Sequence, residues 1–167
     1  MHRVTLLTGS NDADARAILQ RTAVLLAERI GKQVAASAIY ESEPWGFATE
    51  RGFLNQALQF STSLEPIEVL DVALDVEQEI GRRRDEEARE KNSTGERYAS
   101  RVVDVDVMFY DSRIIRSERL TVPHPLLHRR EFALRPLCEI MGDFVHPVLG
   151  IELKEIDPKR EYEIENL

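Results

Sequence analysis

The run Arg101-Val102-Val103-Asp104-Val105-Asp106-Val107-Met108-Phe109-Tyr110 places a strand at the centre of this chain. Its valines and aromatic rings have the composition of a buried strand, and period-two alternation puts Asp104 and Asp106 on one face, with Cα atoms roughly 6.5 Å apart. Two carboxylates that close in an apolar strand repel each other and raise at least one pKa unless a cation lies between them. Mg²⁺ meets that need, because it takes oxygen ligands, keeps several waters and is commonly completed by substrate phosphates. A pair of exposed aspartates serving solubility on an edge strand would read the same way.

Upstream, Val4-Thr5-Leu6-Leu7 predicts a strand ending at Thr8-Gly9-Ser10-Asn11, where glycine permits a tight backbone path. Ile18, Leu19, Thr22, Leu25, Leu26 and Ile30 recur at helical spacing, so 14–30 is an amphipathic helix closed by Gly31. Residues 33–42 read as one strand, broken by a loop containing Pro44-Trp45-Gly46-Phe47. In 53–61, Leu54, Leu58 and Phe60 share a core face, while Phe53, Asn55, Ala57 and Gln59 share the other. Phe53 can stack on a flat ligand and Asn55 offers it a donor and an acceptor; Asn55 simply facing solvent fits the pattern equally well.

Pro66 opens a second helix with Ile67, Leu70, Ala73 and Leu74 as its apolar stripe and Gly81 as its end. Glu77 continues the stripe, an acid on a buried side and so a candidate for ligand contact. The stretch 82–100 has no Leu, Ile, Val or Phe and is expected to be a mobile arm, either a lid whose arginines close on phosphates or a solvated linker. After Tyr110, Asp111-Ser112 turns the chain and Arg113-Ile114-Ile115 forms a short strand. Leu120-Thr121-Val122-Pro123-His124-Pro125 leads to a helical segment that Pro136 interrupts or restarts, and the tail from Gly142 is expected to be irregular and peripheral.

Strand, helix, strand, strand, helix, strand is the order of an α+β ferredoxin-like βαββαβ sandwich, an antiparallel sheet with helices packed on one face and C-terminal additions. The 167 residues fit one domain. A net charge of −8 argues against nucleic-acid and membrane-surface binding. No apolar run approaches the roughly 20 residues of a membrane span, so a cytoplasmic protein is expected. Cys138, the single cysteine, excludes an internal disulfide and a cysteine zinc site, and reads as a buried, inert thiol.

In order and spacing, Gly9-Ser10-Asn11, Tyr40-x-Ser42-x-Pro44-x-Gly46, Phe53-Leu54-Asn55, Glu77, Gly81-Arg82-x-Arg84, Arg101-x-x-Asp104-x-Asp106, the 120–125 run and Arg130-x-Phe132 resemble one family, the 6-hydroxymethyl-7,8-dihydropterin pyrophosphokinases of folate biosynthesis. The resemblance implies transfer of the β,γ-pyrophosphoryl unit of ATP to the pterin hydroxymethyl group, with release of AMP. It implies two Mg²⁺ ions on Asp104 and Asp106, and a pterin site of Ser42, Pro44, Trp45, Gly46, Phe53, Asn55 and Phe132. ATP is expected on Glu77, Arg84, Tyr98, Arg101, Val107, Arg119, Thr121, His124, Pro125 and Arg130. Catalysis then falls to Arg84, Arg101, Asp104, Asp106 and His124, with Asp106 a recipient for the hydroxyl proton, and consists mainly of alignment and charge neutralisation. The partners are small molecules and the protein is expected to be a monomer. Glu43, Trp45, Phe53 and Tyr98 depart from the family pattern, the first three in the pterin pocket and Tyr98 in the lid. The alternative is a non-catalytic small-molecule-binding module on the same fold, which would make no AMP.

Overall fold

The computed structural model describes residues 1–42, 52–91 and 102–164, with the side chains of 84 and 87–91 also outside the description. Strands β1 (His2–Ser10), β2 (Gly31–Ala36), β3 (Tyr40–Ser42), β4 (Phe53–Thr62) and β5 (Asp104–Tyr110) form one antiparallel sheet in the order β2-β4-β1-β5, with β3 pairing further along β4. Helices α1 (Ala15–Ile30) and α2 (Pro66–Lys91) connect them in the ferredoxin-like sequence. A hairpin of β6 (Ile115–Arg116) and β7 (Thr121–Val122) and a third helix, α3 (Glu131–Met141), follow.

Alternation along the strands sorts the side chains into two cores. Val4, Leu6, Leu58, Phe60, Val105 and Val107 face the helices and pack with Leu19, Leu26, Val69, Ala73, Val76 and Ile80. Each of the Val, Leu, Ile and Phe side chains, fully buried, contributes about 1.5–3 kcal/mol. Ala73 belongs to the stripe of α2 as expected, but the buried row is Val69, Ala73, Val76 and Ile80, while Ile67 and Leu74 are exposed. Both rows have helical spacing; docking against the sheet selects between them.

Helix α2 does not stop at Gly81 but runs on to Lys91, so the first part of the expected mobile arm is helix. One glycine costs a helix about 1 kcal/mol, and the Arg, Glu, Ala and Lys residues that follow are good helix formers. The pair from Glu79 to Arg83, 3.5 Å apart at i,i+4, runs in the favourable direction for the helix dipole. The remainder of the arm, 92–100, lies outside the described residues.

Three other expectations change. The expected strand over 33–42 is two, β2 and β3, parted at Ser37, whose Oγ takes the Ala57 N–H at 2.9 Å while its own N–H goes to the Ala57 carbonyl. Pro136 sits inside α3 without ending it; it has no N–H for the Phe132 carbonyl, a loss offset by the burial of Pro136 and Leu137. The tail beyond Gly142 is not peripheral. His146, Leu153 and Ile156 are buried and pack with α3, Leu7, Ala57, Met108 and Phe109 as a second core on the other sheet face. That face is therefore partly roofed, and its open part lies at the end of the sheet carrying Gly9, Asn55 and Asp104.

Candidate active site

Asp104 and Asp106 are half-buried on the sheet face opposite Val105 and Val107, as alternation requires. The register extends them into two rows: Asp104, Gly9 and Asn55 lie side by side across β5, β1 and β4, and Asp106, Leu7 and Ala57 form the next row. Gly9 is inside β1 rather than at a turn after it. A Cβ there would lie 2.5 Å from Asn55 Nδ2, so the glycine is what allows the amide to lie against β1. Asn55 Nδ2 donates to the Thr8 carbonyl at 3.3 Å, and the buried Oδ1 has no partner among the described residues. A buried acceptor left without a donor costs about 1–3 kcal/mol, which a ligand N–H would relieve.

These side chains meet in a cavity of about 230 Å³, with Leu7 and Gly9 beneath Asp104, Asp106, Ser42, Phe53, Asn55, Arg130 and Phe132 on its walls. The Arg130 guanidinium lies 5.5 Å from the centre of the Phe132 ring. A larger hollow of about 480 Å³ shares Ser42, Asn55, Arg130 and Phe132 and continues to Arg129, Arg135 and Lys159. The smaller one is the candidate site, because the carboxylates, the orphaned amide oxygen and both phenyl rings converge there.

The start of β5 is held from two sides. Ser10 Oγ donates to the Val102 carbonyl at 2.6 Å, and Glu77 Oε2 accepts the Val105 N–H at 2.8 Å, bracketing Asp104. Glu77 thus has a structural bond on the buried side of α2. His124 is tied to the far end of the strand by its N–H to the Met108 carbonyl at 3.0 Å. Its Nδ1 accepts the Leu126 N–H at 3.2 Å, which leaves the proton of the neutral ring on Nε2. Burial lowers its pKa, Asp106 opposes that and Arg130 reinforces it, so the ring is neutral at pH 7.

Other expected residues fall elsewhere. The Val107 side chain is in the helix-side core, leaving only its main chain for a ligand. Arg119 pairs with Asp71 of α2, Thr121 lies in the β6–β7 hairpin, and neither these nor Pro125 line the two cavities. Pro44, Trp45, Gly46, Tyr98, Arg101 and the Arg84 side chain lie outside the described residues. Leu7, and Ser10 as a tether to β5, were not singled out by sequence; a glycine in an apolar strand was a readable sign of close approach, whereas the Ser10 bond, spanning 92 positions, left no sign. Cys138 is half-buried rather than buried, and desolvation raises its pKa, which keeps it a thiol.

Among the described residues no three His, Cys, Asp or Glu side chains converge on a point. Asp104 and Asp106 would supply a partial oxygen set, which suits an ion completed by water and phosphate oxygens.

Fold and site together define a ferredoxin-like α+β protein that sets a flat, amide-edged slot beside a carboxylate pair. The family model for 7,8-dihydro-6-hydroxymethylpterin-pyrophosphokinase matches residues 5–142. The 2-amino-4-hydroxy-6-hydroxymethyldihydropteridine pyrophosphokinase of Aquifex aeolicus is 36% identical over 159 residues, 95% of this chain and 92% of that protein. The one of the same name from Methylorubrum extorquens is 38% identical over 146 residues, 87% and 86% of the two chains. The crystal structure of wild-type Plasmodium falciparum HPPK-DHPS shares the fold, with a TM-score of 0.67 and 14% identity over 92% of this chain, which spans 43% of that longer one. The chain belongs to the 7,8-dihydro-6-hydroxymethylpterin-pyrophosphokinase family.

Proposed function

We propose that this chain binds 6-hydroxymethyl-7,8-dihydropterin in the 230 Å³ slot and transfers to its hydroxymethyl oxygen the β,γ-pyrophosphoryl unit of ATP, releasing AMP. The observation that carries this is the convergence, on one sheet face, of a carboxylate pair with an aromatic slot whose amide oxygen lacks a donor among the described residues. The pterin ring lies between Phe53 and Phe132, Asn55 accepts a ring N–H, and Ser42 and the loop with Pro44, Trp45 and Gly46 complete its edge.

Asp104 and Asp106 would hold two Mg²⁺ ions, which would supply neutralisation of the phosphate charge. Arg130 offers a permanently charged, planar fork on the slot wall, suited to paired contact with phosphate oxygens. His124, neutral and protonated on Nε2, can donate there, and an arriving triphosphate raises its proton affinity. Glu77 and Ser10 fix the backbone on either side of Asp104, so the acids need little reorganisation when substrate arrives. Asp106 takes the hydroxyl proton. Arg84 of α2, with Tyr98 and Arg101 beyond it, grips ATP together with Glu77, Val107, Arg119, Thr121 and Pro125.

The test is an AMP-release assay with ATP and the reduced pterin alcohol, with and without Mg²⁺. One AMP per pterin diphosphate, dependent on all three components, is the expected result. Tight pterin binding without AMP would leave only a binding module.

A further inference from the structure

We propose that Glu139 is a positioning residue that sets the width of the pterin slot by latching α3 to β3. The inference rests on the slot assignment above, in which Phe132 of α3 covers one face of the pterin ring and Ser42 of β3 meets its edge.

Strand β3 needs an anchor. It is three residues long, follows a break at Ser37, and is bonded along one side to the end of β4, with Tyr40 opposite Asn55 and Ser42 opposite Phe53. Ala38, in the break, has an N–H with no strand partner. The Glu139 carboxylate supplies both missing contacts: Oε2 accepts the Ala38 N–H at 2.8 Å, and Oε1 accepts the Tyr40 hydroxyl at 2.7 Å. Arg135 covers the Tyr40 ring, its guanidinium 5.3 Å from the centroid.

Helical geometry carries this grip to the slot. Phe132, Arg135 and Glu139 stand at i, i+3 and i+7, one face of α3 over two turns, about 10 Å along its axis. That face runs along β3, with Phe132 sharing the slot with Ser42 while Glu139 holds Ala38 and Tyr40. The anchor is far enough from the slot to touch no substrate and is rigidly joined to both walls. Without it, β3 is free to move from α3 and the gap between Ser42 and Phe132 is no longer fixed. The cost then falls on the pterin, which meets Phe132 with its face and Ser42 with its edge, and not on ATP at the β5 end.

The experiment compares Glu139→Ala, Glu139→Gln, Tyr40→Phe and Asn55→Ala by KM for each substrate, kcat and thermal melting. Glu139→Ala is expected to raise the pterin KM about tenfold, less than two buried bonds to a charged group would give because both bonds are exposed, with the ATP KM within about twofold. Glu139→Gln, which keeps one acceptor oxygen, and Tyr40→Phe, which keeps the Ala38 bond, are expected to lie between it and the parent. Adding Tyr40→Phe to Glu139→Ala should change nothing further, because one link has been cut already. Equal rises in both KM values, or a lowered melting point with no KM split, would overturn the latch in favour of a general structural role. An unchanged pterin KM in Glu139→Ala with a large rise in Asn55→Ala overturns the latch alone. An unchanged pterin KM in Asn55→Ala overturns the slot assignment itself.

Discussion

Asp106 and Gly9 neighbour the same slot but should fail in different ways when changed. Asp106→Ala removes half the acidic pair while leaving Asn55 and both rings in place, so turnover should fall by more than tenfold, at least ~1.4 kcal/mol in the barrier. Pterin affinity, measured by calorimetry without nucleotide, should change less than about threefold, or ~0.6 kcal/mol. Gly9→Ala brings a methyl group to 2.5 Å from Asn55 Nδ2, and that amide is the end of a side chain and can swing away. Folding stability should therefore drop by no more than about 1 kcal/mol, whereas pterin affinity should weaken at least about tenfold. A large loss of stability with intact binding would contradict this account of the glycine. Asp104, Asp106, Asn55, Phe53 and Phe132 could be picked from the sequence because each is a residue type out of keeping with its pattern, or part of a known family's motif. Glu139 could not, because a glutamate on an exposed helix position looks like any other until its partners are seen.

Secondary-structure elements show where local pattern is a sufficient guide. The α1 stripe is buried as its spacing requires, and β4 divides its faces as alternation requires. The β2–β3 break was not visible because Gln33 to Ser42 keeps strand composition throughout; only the Ser37 hydroxyl, replacing a ladder bond to Ala57, shows the chain leaving its register. Ser37→Ala strands the Ala57 N–H in the sheet, where Ala57 is fully buried. Urea unfolding should show a loss of about 1–3 kcal/mol, with Ser37→Thr, which keeps the hydroxyl, losing less. In α2, Gly81 misleads because a single glycine is a weak break, and the charged helix formers beyond it outweigh its cost.

At the scale of the whole molecule, two cores back one sheet, and the second contains the buried rings of His128 and His146. His146 Nδ1 accepts the N–H groups of Val148 and Leu149, both at 3.1 Å, and its ring meets Phe109 edge-on at 5.7 Å. Burial first, and then the neighbouring His128, push its pKa down from 6.5 to about 4. Burial, followed by Arg129, also lowers that of His128. Between these limits the unfolded chain binds the proton and the folded chain does not, so stability is full above pH 6.5 and declines as pH falls toward 4. For His146 the decline totals about 3 kcal/mol, from the pKa gap at 1.36 kcal/mol per unit. Denaturant unfolding from pH 7.5 to 4 should show it, and His146→Gln should flatten the slope in that window. An unchanged slope in the variant would place the acid sensitivity elsewhere.

The sequence by itself determined the order of strands and helices, the faces of β4 and β5, the placing of Asp104 and Asp106 on one side, and the family resemblance. All of these rest on local periodicity or on residue types at fixed spacing. Tertiary structure alone decided that Asn55, Gly9 and Asp104 stand in one row, that the tail closes a second core, and that α3 is latched to β3. Those contacts join residues up to about 150 positions apart, and one chain's periodicity holds no record of which distant partner a strand or helix face will meet.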